Sequence, residues 1–181
     1  MNVYLKAFIF LIVFSLLHFG YEATGWTPLT IFCAVNESLF QHLKMAFWSY
    51  LLLVALIEFP LLIKKIAEEK TGKTIAGSGS FWYSRLLSVI ILPYIVLIVW
   101  YLQPAISSRL KSDWIDLAWA ITVTYLSCLL IAFLEKDTER IKYQLSSRYI
   151  ILLLVFISGL LFVLFTYRPP WIDLFINPET L

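Results

Sequence analysis

Five stretches of this chain, residues 4–21, 38–63, 83–103, 114–134 and 149–167, are long, apolar and nearly free of charge. The hydrocarbon core of a bilayer takes about 20 mainly apolar residues per helix. A segment inside it must close its own backbone hydrogen bonds, which leaves helices and closed barrels. Runs of this length are helices rather than alternating strands. The expected fold class is all-α: a polytopic membrane bundle of about five transmembrane helices. Composition agrees, at 61% hydrophobic and 14% charged, with a mean hydropathy of +0.84. Soluble domains run about 45–50% apolar and about 25% charged. One transmembrane domain is expected over 1–181. It divides into a first helix with its outer loop (1–37), a second helix (38–65) and a cytoplasmic loop (66–82). Helices three to five (83–167) and an outer tail (168–181) complete it.

The N-terminal run carries no small-residue cleavage site, so it reads as a retained first helix and not as a signal peptide. Between the first two spans lies "ATGWTPLTIFCAV", uncharged and too short to cross. It predicts a short interfacial or re-entrant helix, with Thr27 as N-cap and Pro28 in the first turn. Lys and Arg set the orientation. Ten fall on one side: Lys6, Lys64, Lys65, Lys70, Lys73, Arg85, Lys136, Arg140, Lys142 and Arg148. Four fall on the other: Lys44, Arg109, Lys111 and Arg168. The N-terminus is therefore expected in the cytoplasm and the C-terminus outside, in a multi-pass plasma-membrane protein. A net charge of +2 gives no reason to expect nucleic acid. The bilayer is the expected partner, with a lipid or small molecule as possible ligand; the sequence sets no oligomeric state. Cys33 and Cys128 stand far apart and read as buried apolar residues rather than a disulfide or metal pair. "GKT" at 72–74 lacks the spacing of a phosphate loop.

The densest polar stretch is "NESLFQHLK", residues 36–44. Asn36 suits an N-cap, with Glu37 and Ser38 in the first turn of the second helix. The chain has two histidines, His18 and His42, each near the outer end of its helix. Antiparallel neighbours would hold them at one depth. Glu22 follows His18 by four residues and Ser38 precedes His42 by four, spacings that share a helix face. Polar groups this close to hydrocarbon are costly unless paired or wet, and point to function. The candidate catalytic residues are His18, Glu22, Glu37 and His42. The same four are candidate ligands for a divalent metal such as zinc. Without metal they could exchange protons, the carboxylates orienting the imidazoles. Asn36, Ser38 and Lys44 are candidate substrate-binding residues, Lys44 for an anionic head group. The competing readings are a hydrogen-bonded knot for the cluster and snorkelling for Lys44. The tail "YRPPWIDLFINPETL" is expected to fold back over the outer ends of the first two helices through Trp171, Leu174 and Phe175. Asp113, Trp114 and Asp116 could approach the site or cap a helix. Glu58, on nearly the opposite face from His42, is expected to pair with an inner Lys or Arg or to carry a proton.

Leu17–Glu22, Asn36–Lys44 and the tail resemble a family of small uncharacterised prokaryotic membrane proteins. Its signatures are L-H-x-x-Y-E, N-E-S-x-x-x-H-L-K and a T-x-x-P-P run followed by L-F and N/D-P. The resemblance implies that cluster and tail are family features, and implies no activity. A looser likeness joins the cluster to intramembrane metal hydrolases such as alkaline ceramidases, whose seven helices and late histidine pair this chain lacks. The leading reading is a membrane enzyme acting on a lipid-like or isoprenoid substrate at the outer leaflet. The alternatives are a small-solute binding or transport component, and a structural or assembly subunit without catalysis.

Overall fold

The computed structural model describes residues 1–68, 78–106 and 113–177. They form helices α1 (Val3–Thr24), α2 (Leu39–Leu53), α3 (Phe59–Glu68), α4 (Ser78–Ile106), α5 (Asp113–Thr138) and α6 (Leu145–Tyr167). There is no strand among the described residues. α2 and α3 are one continuous rod, joined by a π-helical turn at Val54–Glu58. Five helices are long and apolar enough to cross a membrane, as the sequence predicts. The chain is a multi-pass membrane protein. Most of the Lys-rich loop, Arg109, Lys111 and the last residues of the tail lie outside the described residues.

The helices pack as a ring: α1 against α2, α2 against α4, α4 against α5, and α5 back against α1. α6 lies outside the ring, mainly along α4, and buries only Ile151 and Gly159. The ring core is Phe10, Phe14, Tyr50, Leu92, Val96, Cys128 and their neighbours. Large apolar side chains such as Phe8, Leu16, Ile98, Leu130 and Phe156 point outward. Lipid covers an apolar surface as readily as protein does, so close packing and internal polar bonds hold such a bundle together.

Local signals set the helix ends. Asn2 caps α1, its Oδ1 accepting the Tyr4 N–H at 3.0 Å. Gly25, in the left-handed conformation at φ 63°, ends it and returns its N–H to the Tyr21 carbonyl. Left-handed backbone costs an ordinary residue its Cβ contacts, which glycine avoids. The following connection differs in detail from expectation. Its helix is a 3₁₀ segment, Thr27–Ile31, preceded by Trp26 rather than capped by Thr27. The connection then folds onto α1: the Ala34 N–H bonds the Leu17 carbonyl at 3.2 Å, and Cys33 is buried. A Cβ at Gly20 would stand 2.9 Å from the Cys33 sulfur, so this approach needs glycine. Burial also pushes the Cys33 thiol pKa up.

α2 starts later than expected. Its N-cap is Ser38, and Asn36 sits in the connection, where its Oδ1 accepts the Ser38 N–H at 3.0 Å. An Asn side chain readily forms such a local turn. The consequence is that Glu37 is not in the helix. The tail folds back in part: Phe175 stacks on Phe40 at 4.4 Å and meets Phe165 edge-on. Leu174 joins the core, whereas Trp171 is 97% exposed. The tail's packing is on α2 and α6.

Candidate functional site

At one end of the ring, α1 brings His18 and α2 brings His42 together, with ring centroids 5.5 Å apart. Glu37, from the connection, lies between them. Its Oε1 is 3.5 Å from His18 Nε2 and its Oε2 is 3.7 Å from His42 Nε2. One donor atom from each of the three residues falls within 4.8 Å of the others. The His42 Nδ1 is 3.0 Å from the Ser38 carbonyl oxygen. A carbonyl only accepts, so the proton sits on Nδ1 and neutral His42 presents a bare Nε2 to the cluster. His18 also turns its Nε2 inward, and its Nδ1 is buried with no partner among the described residues. Phe14 and Trp100 pack beside His42, and Phe19 beside His18. Glu37 is 41% exposed and opens the site to solvent.

Three of the four candidate catalytic residues thus meet. Glu22 does not: it is exposed and outside the cluster. It lies a turn beyond His18, almost at the end of α1, while His18 turns toward α2. Glu37 supplies the carboxylate, because the late start of α2 leaves its backbone free of helical geometry.

A family model matches residues 2–180, nearly the whole chain. The chain belongs to a family of unknown function, DUF6512. No curated protein and no solved structure matches it. The membership agrees with the resemblance drawn from the sequence signatures.

The other candidates in this DUF6512 member have positioning places. Asn36 holds the turn before α2, and Ser38 orients His42 through its backbone carbonyl. Lys44 is two residues from His42, so it emerges about 160° around the helix from it. It is fully buried, at 0% exposure, and donates to the Thr30 carbonyl at 2.8 Å and to Thr166 Oγ1 at 3.2 Å. It neither snorkels nor reaches a head group at the surface; it ties α2 to the connection and to α6. Trp114 and Asp116 are exposed on α5.

The opposite end of the ring carries a second polar assembly, only part of which the sequence announces. Each ring helix gives one buried charge, and the signs alternate: Lys6 on α1, Glu58 at the π-turn, Arg85 on α4, Glu135 on α5. Lys6 Nζ is 2.9 Å from Glu58 Oε2 and 2.5 Å from Glu135 Oε2. Arg85 Nε is 3.2 Å from the same Glu58 oxygen and 3.6 Å from the same Glu135 oxygen. Tyr50 donates to Glu135 Oε1 at 2.7 Å, and Arg85 Nη1 reaches half-exposed Glu139 at 2.7 Å. Glu58 does pair with a Lys and an Arg, as expected, but Lys6 and Glu135 lie within segments read as plain spans or loop ends. The only signal for them was that charged residues near hydrocarbon demand partners.

Proposed function

We propose that this protein is a membrane enzyme acting on a lipid-like substrate at the outer leaflet, with His18, Glu37 and His42 as its reaction centre. The observation that carries this reading is the convergence of two imidazole Nε2 atoms on one half-exposed carboxylate, at the end of a membrane-spanning ring. Imidazole and carboxylate together can take a proton from water or a hydroxyl and return it to a leaving group, which contributes about 10²–10⁴-fold to a rate. The Lys/Arg distribution favours placing this end outside. The outward face of the same half of α1, with Ile12, Leu16 and Phe19, is apolar and open. A lipid chain lying along that face would bring its polar end to the depth of His18. The chemistry suited to the cluster is hydrolysis or transfer at an ester or phosphoester of such a lipid.

The test is a lipid panel, including isoprenoid phosphates, incubated with reconstituted wild-type protein and with His42→Gln, products followed by mass spectrometry. Wild type should convert at least one lipid at a rate about 100-fold or more above the variant. Equal rates for both proteins on every lipid would overturn the reading.

A further inference from the structure

We infer that His18 Nε2, His42 Nε2 and one Glu37 oxygen are the protein ligands of a single divalent cation of the zinc class, with a further position left open. This rests on the reading of the cluster as a reaction centre, and it names what that centre holds.

The spacing is the first argument. The two imidazole–carboxylate separations, 3.5 and 3.7 Å, are longer than a good charge-assisted hydrogen bond. They are close to what a shared ion requires. Zinc binds imidazole nitrogen and carboxylate oxygen at about 2.0–2.2 Å, so the edges of its tetrahedron are about 3.3–3.5 Å. The two separations run to different Glu37 oxygens, so with either oxygen as the ligand one edge of the triangle already approaches that length. No pair of ligand atoms is farther apart than 4.8 Å, so the other two edges each close by a side-chain movement of about 1.5 Å or less.

Orientation is the second argument. Metal-bound histidine almost always donates its other ring N–H to a carbonyl or carboxylate, which fixes the tautomer and aims the free nitrogen. His42 does this through the Ser38 carbonyl, at 3.0 Å. Two of the three ligands stand on helices of the ring, and the third on a connection pinned to α1 by the Ala34–Leu17 bond. The ligand types exclude a calcium or magnesium preference, since those ions favour all-oxygen sites. Three protein ligands with solvent access at Glu37 are the arrangement of a reactive rather than a purely structural zinc site. An ion there would lower the pKa of a bound water toward neutrality and polarise a substrate oxygen.

The experiment uses the full chain, purified in detergent, stripped with chelator and titrated with Zn²⁺ and, for its visible spectrum, Co²⁺. Wild type should bind one ion per chain and show a Co²⁺ spectrum of low coordination number. His18→Gln, His42→Gln and Glu37→Gln should each weaken binding at least tenfold, and Glu22→Gln should leave it unchanged. Zn²⁺ should raise the melting temperature of wild type and not of His42→Gln, since an ion that binds only the folded state stabilises it. The three site variants are checked for native helicity and elution volume, and Asn36→Ala serves as a variant that alters the connection without removing a ligand. Wild-type binding no tighter than that of folded His18→Gln and His42→Gln would overturn the inference. So would catalysis that survives metal stripping yet is lost in His42→Gln, which leaves the enzyme reading intact. One tightly bound ion without any lipid turnover would sustain the inference and overturn the enzyme reading.

Discussion

A buried lysine needs acceptors, and the two fully enclosed lysines among the described residues are satisfied differently. Lys6 is held by two carboxylates, whereas among the described residues Lys44 is held by a carbonyl and a hydroxyl. Removing one member of a buried ion pair strands its partner's charge, at about 3–5 kcal/mol. Lys6→Met should therefore be strongly destabilising. Lys6→Met with Glu58→Gln keeps charges matched, so the double variant should recover part of the loss, by about 1–3 kcal/mol of coupling. Lys44→Met strands no acid, and Thr166 keeps its own bond to the Phe162 carbonyl at 2.7 Å. Its cost should be about 1 kcal/mol, the scale of a lost hydrogen bond. Unfolding in mixed detergent checks the order; Lys44→Met as damaging as Lys6→Met would refute this account. Gly20 offers a separate residue-scale test. Gly20→Ala sets a methyl 2.9 Å from the Cys33 sulfur and should lever the connection off α1. Overpacking of this kind costs about 1–3 kcal/mol. Cys33 should become reactive to maleimide, and Cys33→Ala should restore stability to Gly20→Ala.

The rod formed by α2 and α3 shows how one inserted residue decides a pairing. An α-helix turns about 100° per residue, so sixteen residues would leave Glu58 about 160° from His42. The π-turn, closed by the Phe59 N–H on the Val54 carbonyl, takes up one extra residue. That subtracts about 100° and brings Glu58 within about 20° of Tyr50, eight residues earlier. Both then face Lys6 and Glu135. Pro60 helps, because it has no N–H for the carbonyl one turn before it and so weakens the α-helical ladder there. Inserting an alanine after Ala55 should turn the rest of the rod by about 100° and swing Glu58 out of the ring. The insertion should destabilise the protein by about 3 kcal/mol or more, as a stranded buried charge does. A Glu58→Gln variant without the insertion should show a similar loss, and the two together should fall well short of their sum. Full additivity in the same unfolding assay would mean that the π-turn has some other purpose.

Across the whole molecule, the ring has two polar ends and an aromatic middle. The charge ring closes one end; the His18–Glu37–His42 cluster occupies the other. Between them Tyr50, Phe10, Phe14 and His42 follow one another at 5.8, 5.9 and 6.4 Å. Aromatic pairs at such separations add about 0.5–1.5 kcal/mol each beyond their buried area. Orientation in the bilayer is open to a direct test. Trp171 lies on the cluster side, and Ile141, in the turn after α5, lies on the charge-ring side; both are exposed. Cys33 and Cys128 are buried, so the background is quiet. Trp171→Cys should react with an impermeant maleimide in intact cells and Ile141→Cys only after lysis. The reverse result would place the cluster in the cytoplasm and end the outer-leaflet proposal.

The number of spans, their approximate limits and the meeting of His18 with His42 were legible because they depend on local quantities. Apolar length identifies a membrane helix, and two antiparallel helices joined by a short connection put their facing ends at one depth. Helix spacing alone pointed to Glu22 as strongly as to Glu37. The choice fell to Glu37 only because Asn36 turns the chain before Ser38 and delays α2. Lys44 read as an interfacial cation, because nothing in its neighbourhood along the chain names Thr30 or Thr166 as acceptors. The charge ring was hidden for the same reason. Its members lie far apart in sequence, on helices whose order around the ring, α1–α2–α4–α5, no single segment specifies. Local sequence determines that a segment is a membrane helix. Its rotation, which sets the partners of each polar side chain, is decided by the packing of all its neighbours, because one residue more or less turns the whole face by about 100°.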